Sequence, residues 1–165
     1  MKKIVSLLLT LMLAVGLLTG CTDPKELYDN EDAIAGGSSA FEALNWAESS
    51  LTDDGTIDYT AGATSMVGAK LAFSFTINAK SANVDVYDTI SCGIGSCKIL
   101  FVNTDTKNVE SCYLETAYDT IKLNGGNYKV YIVAKDDASF TVTLSLSCPD
   151  GNVEWTTNPV EVTDD

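Results

Sequence analysis

The side chains able to do chemistry in this chain are few in kind. Its 165 residues include 23 acids, ten lysines and five cysteines, but no histidine and no arginine. Without histidine there is no Ser-His-Asp or Cys-His relay, and no imidazole to hold a metal. Without arginine there is no planar fork to clamp a phosphate or carboxylate through two parallel hydrogen bonds. No glycine-rich loop runs into a Lys-Ser or Lys-Thr pair, so nothing is set up to cradle nucleotide phosphates. What remains is catalysis by two carboxylates, as in glycoside hydrolysis. Neighbouring acids stand at Asp53-Asp54 and Asp136-Asp137, but both pairs sit in turn-like sequence, and 23 acids place some side by side by chance. Enzyme activity is therefore not expected, and no metal or cofactor is implied.

The first cysteine, Cys21, ends a stretch of a different kind. Lys2 and Lys3 precede the apolar run 4–18, which closes on Leu18-Thr19-Gly20-Cys21. As a helix the run is about 22 Å long at 1.5 Å per residue, short of the roughly 30 Å of a bilayer core. A positive start, a short apolar run and a small-residue exit mark a secretory leader rather than a permanent span. The exit Leu18-Thr19-Gly20-Cys21 resembles the lipobox of bacterial lipoproteins. That resemblance implies cleavage before Cys21, a diacylglycerol on its sulfur and acylation of its new amine. Several acyl chains, at about 0.8 kcal/mol per buried methylene, hold a protein on a bilayer where one does not. The expected location is the bacterial cell envelope, extracytoplasmic and lipid-anchored. Thr22 stands where a plasma-membrane retention signal in enteric bacteria has aspartate, which favours the outer membrane in a cell with two.

All 23 acids follow Cys21, against eight lysines. Such a chain is repelled by nucleic acid and by anionic headgroups, so nucleic acid is not an expected partner and the membrane is reached through the anchor. The acids are spread along the chain, which suits a solvated surface better than an acidic recognition site. In an exported domain the four remaining cysteines, Cys92, Cys97, Cys112 and Cys148, read as two disulfides with three possible connectivities. The glycine-rich Gly93-Ile94-Gly95-Ser96 favours closing Cys92 on Cys97. That leaves Cys112 with Cys148, a bridge worth about 3–4 kcal/mol by loop entropy. A four-thiolate zinc site normally brings two close pairs, and only Cys92 and Cys97 form one.

These groups must be positioned by the chain between them. Residues 1–20 are the leader, and 21–37 read as an acidic tether ending at Gly36-Gly37, although Leu27, Tyr28 and Ile34 are able to touch the domain. Residues 38–165 read as one domain. A helix is expected over 38–51, because Ser39 and Glu42 have capping-box spacing and Phe41, Leu44 and Leu51 form a stripe broken only by Glu48. Residues 52–68 read as a loop or irregular strand. Within them Asp54, Gly55, Ile57 and Asp58 are similar to the middle of an EF-hand loop. Ser50 and Thr52 replace its first acidic ligands, however, and Ala61 its bidentate glutamate, so calcium is not expected.

From Lys70 the period is two. Leu71, Phe73, Phe75 and Ile77 mark one strand and Val84 and Val86 the next, followed by strands at 98–102, 111–115 and 120–123, the last with Ile121 and Leu123 inward. Tyr128, Val130, Ile132 and Ala134 share a face, as do Phe140, Val142, Leu144, Leu146 and Cys148. Asn124-Gly125-Gly126-Asn127 reads as a tight hairpin turn, and Asp136-Asp137 turns the chain again. Trp155, Val160 and Val162 suggest a last edge strand. Seven or more short strands make a mainly β fold, a jelly-roll-like antiparallel β-sandwich with one short N-terminal helix.

The stretch Leu123-Asn124-Gly125-Gly126-Asn127-Tyr128-Lys129-Val130-Tyr131-Ile132, followed by Phe140-Thr141-Val142-Thr143-Leu144, resembles the closing hairpin of bacterial pre-peptidase C-terminal domains. It has one more residue between its leucine and its tyrosine than their pattern. With 71–77 as the opening strand, the resemblance spans 70–147. It implies an accessory sandwich without activity of its own that binds or positions something outside the cell. The functional expectation is a non-enzymatic, lipid-anchored binding or accessory module with a protein or glycan ligand. Tyr87, Tyr113, Tyr118, Tyr131 and Trp155 are the candidate contacts, since rings supply area at low entropic cost and stack on sugars. The alternatives are a structural envelope lipoprotein without a specific ligand, and a carboxylate-dependent glycan-active enzyme.

Overall fold

The computed structural model describes residues 22–53 and 55–157. The leader with Cys21, Asp54, and Val160 and Val162 of the tail lie outside the described residues. The fold is mainly β and antiparallel. Two short helices, α1 (Pro24–Leu27) and α2 (Glu31–Ala35), precede β1 (Phe41–Leu44), β2 (Ala47–Asp53), β3 (Thr56–Ala63), β4 (Ser65–Asn103), β5 (Asn108–Tyr113), β6 (Ala117–Ser147) and β7 (Val153–Thr157). β4 and β6 are 39 and 31 residues long, several times an ordinary strand, because each passes from one layer to the other and back. In the first layer β1 and β7 border residues 65–77 of β4, followed by 126–135 of β6, 96–103 of β4 and then β5. In the second, 117–124 of β6 borders 81–92 of β4, followed by 139–147 of β6, β3 and β2.

The period-two pattern sets what lies between the layers. Phe140, Val142, Leu144, Leu146 and Cys148 are all buried in the central core, as are Tyr128, Val130, Ile132 and Ala134. Leu71 is out of step: a bulge between Leu71 and Phe73 turns it to the opposite face of the first layer. The unbroken apolar run at 98–102 has a simple cause. Ile99 and Phe101 point into the central core, while Leu100 and Val102 are buried on the far face.

What covers that far face is the stretch expected to be a tether. Asp23 caps α1 by accepting from the Lys25 amide at 3.0 Å, with Pro24 in the first turn where its missing N–H costs nothing. Asn30 caps α2 by accepting from the Ala33 amide at 3.1 Å. Leu27 and Ile34 are 0% exposed, and with Tyr28 and Ala35 they pack on Ala69, Leu100, Val102, Tyr131 and Val133. The Tyr28 ring lies beneath two ammonium groups, Lys98 at 4.6 Å and Lys135 at 4.4 Å. Each lysine also meets an acid of the helix layer: Lys98 with Glu31 at 2.6 Å, Lys135 with Asp29 at 3.2 Å. Residues 22–37 are therefore a third layer of the fold and not a spacer.

The helix expected over 38–51 is two strands. β1 pairs with residues 65–68 and β2 with β3, and Asn45 turns between them with φ 53°. The Ser39 hydroxyl donates to the Ala69 carbonyl rather than capping a helix. The stripe has no core to face, since Phe41, Leu44 and Leu51 are 38%, 66% and 68% exposed. Residues 52–68, expected to be irregular, supply β3, with Ile57 and Ala61 buried; the EF-hand-like positions Gly55, Ile57 and Asp58 thus belong to a β-hairpin.

The expected hairpin turn at 124–127 is a corner instead, and so is the turn at Asp136-Asp137. Residues 117–124 and 126–135 pair with different parts of β4, so Asn124–Asn127 carries the chain between layers without reversing it. Gly125 lies against the Ala79 carbonyl of the neighbouring crossing, where a side chain has no room. At Asp136-Asp137, with φ 58° and 51°, the chain crosses again; Gly95 (φ 70°) sits against the Lys135 and Asp136 carbonyls.

The four cysteines are free thiols rather than two disulfides. Cys112 stands opposite Leu100, on the face covered by the helices, whereas Cys148 belongs to the central core. The first layer separates them, and no bridge spans it. Cys97 is buried in the core and Cys92 is exposed, its thiol directed to the Ile94 carbonyl at 3.2 Å. Burial, reinforced by nearby Cys92, pushes the Cys97 thiol up to about 12. A thiol reagent such as Ellman's is therefore expected to titrate Cys92 and Cys112 in the native domain, and Cys97 and Cys148 only after unfolding. Cys112 should lag Cys92, because partial burial and Glu31 raise its thiol pKa. A native domain with no reactive thiol in 22–165 would restore the disulfide reading.

Candidate functional site

Of the five aromatic contacts expected from sequence, the fold withdraws three. Tyr113 and Tyr131 are buried in the central and helix-side clusters, and Trp155 is half-buried with its ring 5.3 Å from Phe75. Tyr87 and Tyr118 remain in solvent, 55% and 74% exposed. They are brought together from 31 residues apart in sequence by the pairing of 81–92 with 117–124, which makes them direct cross-strand partners. Their ring centroids are 6.0 Å apart with planes at 63°, so the pair forms a corner of two aromatic walls.

The rings stand on the outer face of the second layer, which no described element covers. Register lines the outward residues into rows across the strands. Ala47, Gly62, Thr141 and Ser91 form one row, and Ser49, Thr60, Thr143 and Thr89 the next. The third holds Leu51, Asp58, Ser145, Tyr87 and Tyr118. On a chain with net charge −13, the first two rows carry no charge at all. A shallow depression of about 420 Å³ lies over the first row, with Gly93 and Phe140 also lining it. Beyond the tyrosines the Thr120 hydroxyl donates to Asp85 at 2.7 Å, so this nearby carboxylate is engaged. The face offers ring surfaces and neutral hydroxyl donors and acceptors.

Other clusters are occupied by the chain itself. Lys70 lies 5.6 Å from the Phe41 ring and 5.7 Å from Trp46, and meets Glu48 at 3.2 Å. The Tyr59 hydroxyl donates to Glu48 at 2.6 Å; burial first, and then this carboxylate, keep the phenol protonated well above its ordinary range. This group closes the side of the sandwich where the chain passes from β1 to β2. Asp105 accepts from both the backbone and side-chain N–H groups of Asn127, which hold its carboxyl below the usual range and pin one loop to the Asn124–Asn127 corner. Among the described residues no cluster of three or more cysteine or carboxylate side chains is placed to hold a metal.

Sequence alone did not single out Asp88. Asp88 is wholly buried, in phase with Val84 and Val86, and that phase was the available signal. One carboxyl oxygen accepts from the Ala117 amide at 3.2 Å; the other has no hydrogen-bond partner among the described residues. Burial raises the carboxyl pKa, and the Ala117 bond offsets only part of that. No known family model matches this chain, and no curated protein is significantly similar to it in sequence.

Proposed function

We propose that the chain is a non-enzymatic, lipid-anchored binding module of the bacterial envelope, acylated at Cys21, and that its ligand is a neutral glycan taken on the outer face of the second layer. The observation that carries this reading is the exposed Tyr87–Tyr118 pair beside uncharged rows of hydroxyls, on a broad sheet face left open among the described residues. A pyranose presents C–H groups to one ring and hydroxyls to the Ser/Thr rows, and aromatic stacking of this sort needs no charge on the ligand.

The test is a glycan array and polysaccharide pull-down with residues 22–165, beside Tyr87→Ala, Tyr118→Ala and the double variant. Each ring removed is expected to weaken binding about tenfold, or 1.4 kcal/mol, while lowering the unfolding free energy by no more than about 1 kcal/mol, the worth of one cross-strand ring pair. No saturable glycan, or one indifferent to both rings, sinks the binding face. Mass spectrometry of the mature N-terminus checks the anchor, and an unmodified Cys21 refutes it.

A further inference from the structure

We infer that the helix layer is the membrane-apposed side of the protein, held against the lipid headgroups without slack, so that the Tyr87–Tyr118 face is turned to the aqueous side. This rests on the acylation of Cys21 proposed above. Had residues 22–37 been a flexible tether, they would have spanned up to about 50 Å when extended. They are instead folded onto the sandwich from their first residue. The Thr22 and Ser38 hydroxyls lie 3.4 Å apart in a hydrogen bond, Asp23 caps α1, and Pro24 lies against Gly68. Burial of Leu27 and Ile34, the Lys98–Glu31 and Lys135–Asp29 pairs and the stacking of both lysines on Tyr28 hold the rest.

A single peptide link, with successive Cα atoms about 3.8 Å apart, then joins the acylated residue to a docked one. Chains buried in the hydrocarbon keep that link at headgroup level, and Thr22 with it. Thr22 and Ser38 lie beside the helices, the Ser38 amide donating to the Ala33 carbonyl of α2. The tyrosine pair is on the opposite surface, beyond two sheets that pack about 10 Å apart and the helix layer itself. Pairing of Asp29 and Glu31 with lysines also lessens the repulsion that an acidic surface meets at anionic headgroups.

The test uses the full chain, matured in cells and reconstituted into phosphatidylethanolamine/phosphatidylglycerol vesicles that carry a short-range nitroxide quencher on their headgroups. A genetically encoded fluorescent residue replaces either Lys25 or Thr143, both exposed. Quenching of threefold or more is expected at position 25 and none at 143, and ten Gly/Ser residues inserted between Cys21 and Thr22 should relieve the quenching at 25. Equal quenching at both positions in an acylated, vesicle-bound protein, or no effect of the insertion, overturns this inference alone. A chain that does not float with the vesicles and carries an unmodified Cys21 overturns the anchor and the inference together.

Discussion

Ile34→Ala is expected to lower the unfolding free energy of residues 22–165 by about 2–5 kcal/mol, and Leu27→Ala by a similar amount. Both side chains are 0% exposed and seated on Ala69, Leu100, Val102, Tyr131 and Val133. Truncation removes their transfer free energy and leaves a void that short helices pinned by ion pairs cannot easily close. Leu51→Ala is the matched comparison. Its side chain is 68% exposed on β2, and its loss should stay within about 0.5 kcal/mol. Urea midpoints of the three variants distinguish a helix layer from a spacer, for in a spacer Ile34 and Leu27 would be as silent as Leu51. An unchanged midpoint for Ile34→Ala removes the third layer from this fold.

Asp88→Asn is expected to act in the other direction, raising stability at pH 7, because the neutral amide does not carry the charge that burial disfavours. Asparagine keeps an oxygen for the Ala117 amide and sheds the charge. The effect should depend on pH with a definite sign. The folded carboxyl holds its proton to higher pH than the unfolded one, so the wild type loses stability as pH rises through the folded value. Below the ordinary carboxylate range the two proteins should be about equally stable, and the advantage of the variant should grow to a plateau above the raised Asp88 value. Chemical unfolding of both proteins from pH 3 to pH 8 measures it. The other 22 acids contribute equally to each and cancel in the difference. A difference that does not change with pH would show that Asp88 is not the titrating group.

The second layer was the most legible in sequence because it faces solvent on one side. Phe140 to Cys148 alternates without a flaw, and its hydroxyl partners fall where the pattern puts them. The first layer is buried on both faces, which blurs the period at 98–102 and at 128–134 and hints that something must cover it. That cover was written in plain signals: Asp23-Pro24 and Asn30-Glu31 are helix starts, and Leu27, Tyr28, Ile34 and Ala35 repeat at helical spacing. A high density of acids masked them, since the lysines that neutralise Asp29 and Glu31 are distant in sequence. At 38–51 the error ran the other way. Edge strands bury little, so their alternation is weak, and Phe41, Leu44 and Leu51 produced a helical stripe by accident. The glycines at 125 and 126 mark a sharp backbone change but do not say whether the chain reverses or crosses over; only pairing with distant β4 decides that. The tyrosine pair was legible as two candidates, while their adjacency depended on register.

The route of β4 and β6 through both layers has a further consequence. In a sandwich of separate strands, one sheet can fray while the other persists. Here single strands of 39 and 31 residues run through both layers, so a break in either layer reaches the corner that leads into the other. The two sheets accordingly open as a single cooperative unit. The amides of 126–135, walled by ladders on both sides, are expected to exchange with solvent only when the whole domain unfolds, which hydrogen-exchange mass spectrometry checks.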